Sequence, residues 1–269
     1  MIRLWKQDKL LLGAILLTIL WMGLFLFGSQ LAPFDPNETN LGARLQDIGA
    51  THLLGTDQLG RDVLSRILWG GQDSLFIAIS IIAISSIIGI CIGGLLSMSP
   101  WYIDELGSRC IDMILGFPSM IVAIACIGIL GPSVENIIIS LCLTRWAEYA
   151  KITRNLVNLE KQAQYVVVAR MSGASLWRII RRYMIPNLRG TLLLVIIQHM
   201  GDTIITVASF SLIGIGVQPP TPEWGAILLN ARDFLQTAPW LLIYPGLAIF
   251  ITVVLLNYIS DALQDGRHV

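Results

Sequence analysis

The chain has 269 residues, of which 55% are hydrophobic and 13% charged, and its mean hydropathy is +0.70. Soluble globular domains carry roughly 25% charged residues, so this composition excludes that class and indicates an integral membrane protein. The 18 basic and 18 acidic residues cancel, and no nucleic-acid partner is expected. A helix needs about 20 apolar residues to cross roughly 30 Å of hydrocarbon. Six runs meet or approach that requirement, at 10–28, 75–97, 111–130, 134–150, 190–216 and 238–260, in one membrane domain over 1–269.

The first run follows Arg3, Lys6 and Lys9, as in a secretory signal, but no small-x-small cleavage pattern appears before Pro33. A retained first helix is therefore expected. The 29–74 connection after it carries six acids against three bases. The fourth run is the weakest, with Glu135 near its start and Arg145 and Glu148 near its end. Those polar ends suit interfacial positions. Arg145, Lys151, Arg154, Lys161, Arg170, Arg178, Arg181, Arg182 and Arg189, half of all Lys and Arg, then crowd into one connection. The positive-inside rule puts that connection in the cytoplasm. With six spans both termini are cytoplasmic, and 29–74 and 217–237 face outward.

Within the basic connection, 165–187 reads YVVVARMSGASLWRIIRRYMIPN. Ser172, Gly173 and Ser175 supply helix-start chemistry, and Leu176, Ile179, Ile180, Tyr183 and Met184 recur at helical spacing on one face. Arg178, Arg181 and Arg182 occupy the remaining surface, and Pro186 is expected to close the helix before the next span. A helix of this design lies flat on anionic lipid or inserts its apolar ridge into a groove on a partner. On the residues alone both readings stand.

His199 and Asp202 fall near the middle of the fifth run at i and i+3 and share a helix face, with Met200 adjacent. Ionisable groups at that depth face a cavity or a partner. The three are candidates for the translocation pathway, and His199 and Asp202 for transient metal ligation, since imidazole suits nickel. The alternative is an Asp–His hydrogen bond with no role in transport. Cys91, Cys110, Cys126 and Cys142 show no C-x-x-C spacing and read as packing residues. Phosphate-cradling glycine loops, zincin helices and G-x-S-x-G elbows are absent, so no catalytic residue and no bound cofactor are expected in this chain.

Tyr165-Val166, Ala169-Arg170, Ser172 to Ser175 and Arg182 to Pro186-Asn187 resemble the cytoplasmic signature of permease subunits in binding-protein-dependent ATP-binding cassette importers. Val167 and Val168 stand where that signature has Glu and Ala, and Tyr183 where His is common. The resemblance implies an all-α type I importer permease whose coupling helix, opened by the glycine, docks on an ATPase subunit through Arg170, Gly173, Ala174, Leu176, Ile179, Arg182 and Pro186. His52 to Asp57 with Leu59 to Arg66, and Gly214 to Gly225, resemble two outward elements of peptide/nickel-type permeases, specifically the second permease of the pair. These imply that Asp57, Arg61, Asp62, Glu223 and Trp224 face a binding protein.

Gly128 to Gly131, Asn136 to Ile139, Trp146 to Lys151 and Arg170 to Ala174 look closer to nickel permeases than to dipeptide ones. The family implies as partners a homologous permease, two ATPase subunits using ATP and Mg, and an extracytoplasmic binding protein, in the bacterial inner membrane. An intramembrane protease lacks a nucleophile motif here. A self-sufficient channel or secondary transporter lacks the expected inverted repeats.

Overall fold

The computed structural model describes the backbone of residues 2–265, and the side chains within it except those of 2–11, 176 and 265. The described chain is mostly helical: α1 (Ile2–Leu26), α2 (Gly28–Leu31), α3 (Val63–Met98), α4 (Trp101–Leu115), α5 (Ser119–Leu130), α6 (Val134–Glu160), α7 (Gln164–Met171), α8 (Leu176–Ile179), α9 (Ile185–Leu212), α10 (Trp224–Ala231) and α11 (Trp240–Asp265). Three of its helical stretches are long and apolar enough to cross a membrane alone, at Val63–Met98, Trp177–Leu212 and Trp240–Gln264. The bent pair α4–α5 passes as a fourth. Exposed Leu20, Phe76, Ile87, Leu95 and Ile129 suit a lipid or protein surround rather than water.

Several expected boundaries differ from the structure, with α3 and α6 longer than the runs at 75–97 and 134–150. The expected single run at 111–130 is two helices, α4 and α5, bent by 76°. Pro118 lacks an N–H and disfavours helical backbone at Phe117, so the helix breaks there. The run at 190–216 ends at Leu212, where Gly214 takes a φ of +86°. There Gly214 N–H donates to Ser211 O at 3.0 Å and Ile215 N–H to Phe210 O at 3.1 Å, which satisfies carbonyls the helix end leaves open. Pro186 does not close a separate helix, because Trp177–Leu212 is continuous over 36 residues. Just ahead of it, Ile180–Met184 forms a π turn with Ile185 N–H donating to Ile180 O. That wider turn takes up the crowding a proline ring creates in a regular α turn.

The chain divides into two compact units. The first comprises the residues up to Ser80, Ile127–Ile138 and those from Ile197 onward. Its core gathers Phe25, Leu75, Ile204, Trp224, Leu241 and Leu256. Trp224 is fully buried, edge-on to Phe25 at 4.9 Å, and its Nε1 donates to Ile67 O at 3.0 Å. Gly71 gives both rings their space, since a Cβ there would meet Phe25 and Trp224.

The second unit comprises Ile81–Cys126 and Ile139–Ile196. Here α3 and α6 approach backbone to backbone: a Cβ at Gly89 would meet Trp146 O and Tyr149 Cβ, and one at Gly93 would meet Ala150 O. The four-residue spacing puts both glycines on one face, the small-residue device by which membrane helices pack closely. Ile111 of α4 packs against Ala147 and Ala150 of α6. Arg154 then holds Asp104 through two bonds of 2.5 and 2.8 Å, and Lys151 holds Asp112 at 2.7 Å. The bidentate guanidinium pair has the stronger geometry of the two.

Candidate functional site

In the second unit the basic segment folds as α7, a glycine turn and α8. Gly173 has a φ of +78°, and it closes α7 rather than opening the next helix. Its N–H donates to Arg170 O at 3.0 Å, and Ala174 N–H donates to Ala169 O at 3.0 Å. Those two bonds are the left-handed C-terminal cap that glycine forms at least cost. The following helix starts instead at Ser175, whose Oγ accepts from Arg178 N–H at 3.4 Å.

The apolar stripe expected as a docking ridge turns largely inward. Ile179 and Met184 join Val157, Val166, Ala169 and Leu188 in a buried cluster, with Ala174 and Ile180 against it. Among the docking candidates, Arg170, Gly173, Arg182 and Pro186 are exposed, Ala174 is half-buried and Ile179 is buried. The side chain of Leu176 lies outside the described residues. The apolar groups that face out include Met171, 84% exposed, and Trp177, 68% exposed, along with Val167, Val168, Ile185 and, from the stripe itself, Tyr183. Periodicity missed Met171 and Trp177 because they stand off the 176–184 stripe, yet an apolar residue on the basic side of an amphipathic segment was a readable signal. Lys161, in the turn before α7, donates to Ser97 O and to Asn158 Oδ1 at 3.3 Å, and burial holds its ammonium below the ordinary range.

In the first unit the loop ahead of α3 folds around its own charges. Asp57 accepts from Leu59 N–H at 2.8 Å, Arg61 N–H at 3.0 Å and Arg61 Nε at 2.7 Å, with Arg66 Nε 3.6 Å away. Arg66 also donates to Pro36 O at 2.9 Å. Asp62 accepts from Ser65 N–H and Oγ at 2.8 and 2.7 Å, capping α3, and bonds His52 Nδ1 at 2.9 Å. Gly60, at a φ of +72°, passes so close to Asn40 O that no Cβ fits.

Glu223 caps α10 by accepting from Ala226 N–H at 3.0 Å, and it accepts from Ser74 Oγ at 3.1 Å. Asp57, Arg61, Asp62, Glu223 and Trp224 were expected at a binding-protein surface, but all five are buried. Asp57, Arg61 and Asp62 find partners within the loop and the start of α3, and Glu223 on α3 and α10, so these residues hold the fold together rather than coat its surface. The exposed side chains there include Leu41, Ile48 and Leu53.

On α9, His199 is half-buried, Met200 packs against the first unit's core and Asp202 is exposed. Thr203 and Thr206 turn their hydroxyls back to His199 O and Asp202 O, each at 2.7 Å. Among the described residues, no three His, Cys, Asp or Glu side chains are grouped to hold a metal ion.

Residues 85–266 match the family of the binding-protein-dependent transport system inner membrane component, over more than half of the chain. The chain belongs to this family. The permease is 36% identical over 266 residues to the di/tripeptide transport system permease protein DppC of Pseudomonas aeruginosa, covering 97% of this chain and 88% of that one. It is 35% identical over 233 residues to the nickel transport system permease protein NikC of Escherichia coli, covering 87% and 84%. A putative peptide transport system permease protein of Brucella suis is 35% identical over 269 residues, covering 98% and 88%.

The relatives bear out the peptide/nickel type of ABC permease and leave nickel and peptide level. In such importers the ATPase resides in separate subunits. Among solved structures, the inward-facing MetNI methionine ABC transporter shares the permease's fold with a TM-score of 0.61 at 17% identity, covering 73% of this chain and 93% of that one. An amino acid ABC transporter crystallised with histidines gives a TM-score of 0.54 at 19% identity, covering 76% and 94%.

Proposed function

We propose that the permease crosses the bacterial inner membrane six times, with both termini in the cytoplasm, and forms half of the pore of an ATP-driven importer. The crossings are α1, α3, the pair α4–α5, α6, α9 and α11. A homologous permease supplies the other half, and two ATPase subunits bind and hydrolyse ATP with Mg. An extracytoplasmic binding protein delivers the substrate to the outer loop, at the exposed Leu41, Ile48 and Leu53. Residues 165–187 are the coupling element, which carries closure of the ATPase pair into the spans as a rigid-body motion.

The observation that carries this reading is the pairing of exposed Met171 and Trp177 with Arg170, Arg178 and Arg181. A large apolar anchor rimmed by cations is the pattern of a protein interface. Gly173→Ala tests it. At a φ of +78° a Cβ costs about 1–2 kcal/mol, although nothing lies within 4 Å to clash with it. The expected result is ordinary membrane insertion with reduced ATPase co-purification and reduced uptake. Unimpaired uptake and co-purification defeat the coupling reading.

The cargo is nickel carried as a chelate. His199 and Asp202 offer imidazole and carboxylate from one helix face, and both suit a divalent transition metal. Two ligands leave most of the coordination sphere to a chelator. A di- or tripeptide is the second reading, favoured by the 36% identity to the di/tripeptide permease, with Asp202 meeting the peptide's ammonium. In intact cells, deletion of this chain should abolish uptake of labelled nickel, and excess dipeptide should not compete. Unchanged nickel uptake with lost dipeptide uptake transfers the cargo to peptide.

A further inference from the structure

Asn187 stands in the first turn of α9, and its side-chain amide joins three elements. Nδ2 donates to Glu160 Oε1, at the end of α6, at 2.8 Å. It also donates to the phenolic oxygen of Tyr165, at the start of α7, at 2.8 Å. The Tyr165 ring lies 6.1 Å from that of Tyr183 in the π turn. One residue beyond Glu160, Lys161 bonds Ser97 O and Asn158, and Ser97 Oγ donates to Asn158 Oδ1 at 2.7 Å, which ties the same turn to α3.

Elsewhere α7 meets its neighbours through Val166 and Ala169, against Val157, Met184 and Leu188. Apolar contacts of that kind are non-directional and set no register. An amide with two N–H groups holds two acceptors at once in fixed directions. Asparagine suits this place because its amide is neutral and donating beside Glu160, where a carboxylate would repel.

We propose that Asn187 is a positioning residue that locks the coupling element to the base of α9, so that displacement of α7 by the ATPase is delivered to α9 rather than lost as slippage. This rests on the coupling reading above. The lock acts on the efficiency of coupling rather than on folding, because it lies on the exposed side of a segment whose packing is already made by the buried cluster.

The test uses the complete transporter, with partner permease, ATPase subunits and binding protein, in liposomes. It follows whichever of labelled nickel or labelled dipeptide the unaltered complex imports, together with phosphate released. Asn187→Asp sets a carboxylate against Glu160 and is expected to lower substrate imported per ATP by about tenfold, the scale of a typical coupling free energy. Adding Glu160→Gln restores an amide donor to the pair and is expected to recover most of the ratio. The thermal unfolding midpoint should stay the same in both.

An unchanged ratio in Asn187→Asp overturns the proposal. So does an equal loss in the double variant, or a loss accompanied by a lowered unfolding midpoint that the second change does not repair. If the unaltered permease imports substrate without any ATPase, the coupling reading fails and takes the proposal with it. A complex that depends on its ATPase and couples normally with Asn187→Asp defeats the lock alone.

Discussion

Asp57→Ala is expected to destabilise the folded permease by about 3–5 kcal/mol, the usual cost of removing one partner from a buried ion pair. Asp57, Arg61 and Arg66 are 5%, 6% and 3% exposed, so loss of the carboxylate leaves two guanidiniums out of water without their counter-charge. The loop also loses the acceptor that orders Leu59 and Arg61 N–H. Denaturant unfolding of the purified chain in detergent measures the loss. The fraction that remains folded should bind its extracytoplasmic partner with undiminished affinity. Normal unfolding with abolished binding would return Asp57 to the surface role that its place in the motif suggested.

Gly93→Leu is the second large effect. The substituted Cβ would overlap Ala150 O, a backbone atom with no rotamer to escape into, so α3 and α6 must separate. Overpacking of this kind costs about 1–3 kcal/mol and sometimes more, and here it also loosens Ala147 and Ala150 from Ile111. Gly94→Leu is the control, because no atom lies within 4 Å of its Cβ position. Leucine favours a helix over glycine by about 0.5–1 kcal/mol, so that variant should be neutral or slightly more stable. Comparison of thermal unfolding in detergent decides it. Equal midpoints for the two variants would refute the close α3–α6 approach.

Several features were legible from residue type and order. Hydropathy marked the apolar runs, because membrane insertion depends on apolar length rather than on tertiary contacts. Turn chemistry was half readable. Gly173 announced a break, but whether a glycine ends one helix or begins the next depends on which carbonyls its neighbours reach, and Ala174 reaches back to Ala169. Pro118 broke its helix whereas Pro186 did not, although the residue is the same. The π turn at Ile180–Met184 makes the difference, and a local count of helix formers carries no mark of it.

Composition and charge asymmetry by themselves determined that this is a membrane-embedded chain with its basic segment in one connection, and the resemblance of its motifs to those of peptide/nickel-type permeases supplied the family. Those properties sum over stretches of chain, or reside in short strings, and need no partner. Only the tertiary structure decided which members of the motifs face outward. Glu223 is buried because Ser74, 149 positions earlier, bonds it, and Trp224 because Ile67 O, 157 positions earlier, accepts from its indole. Exposure of a charge is set by whether distant residues satisfy it, and burial of an apolar side chain by what distant residues cover it. The same rule turned Ile179 inward onto Val157 and left Met171 and Trp177 facing out.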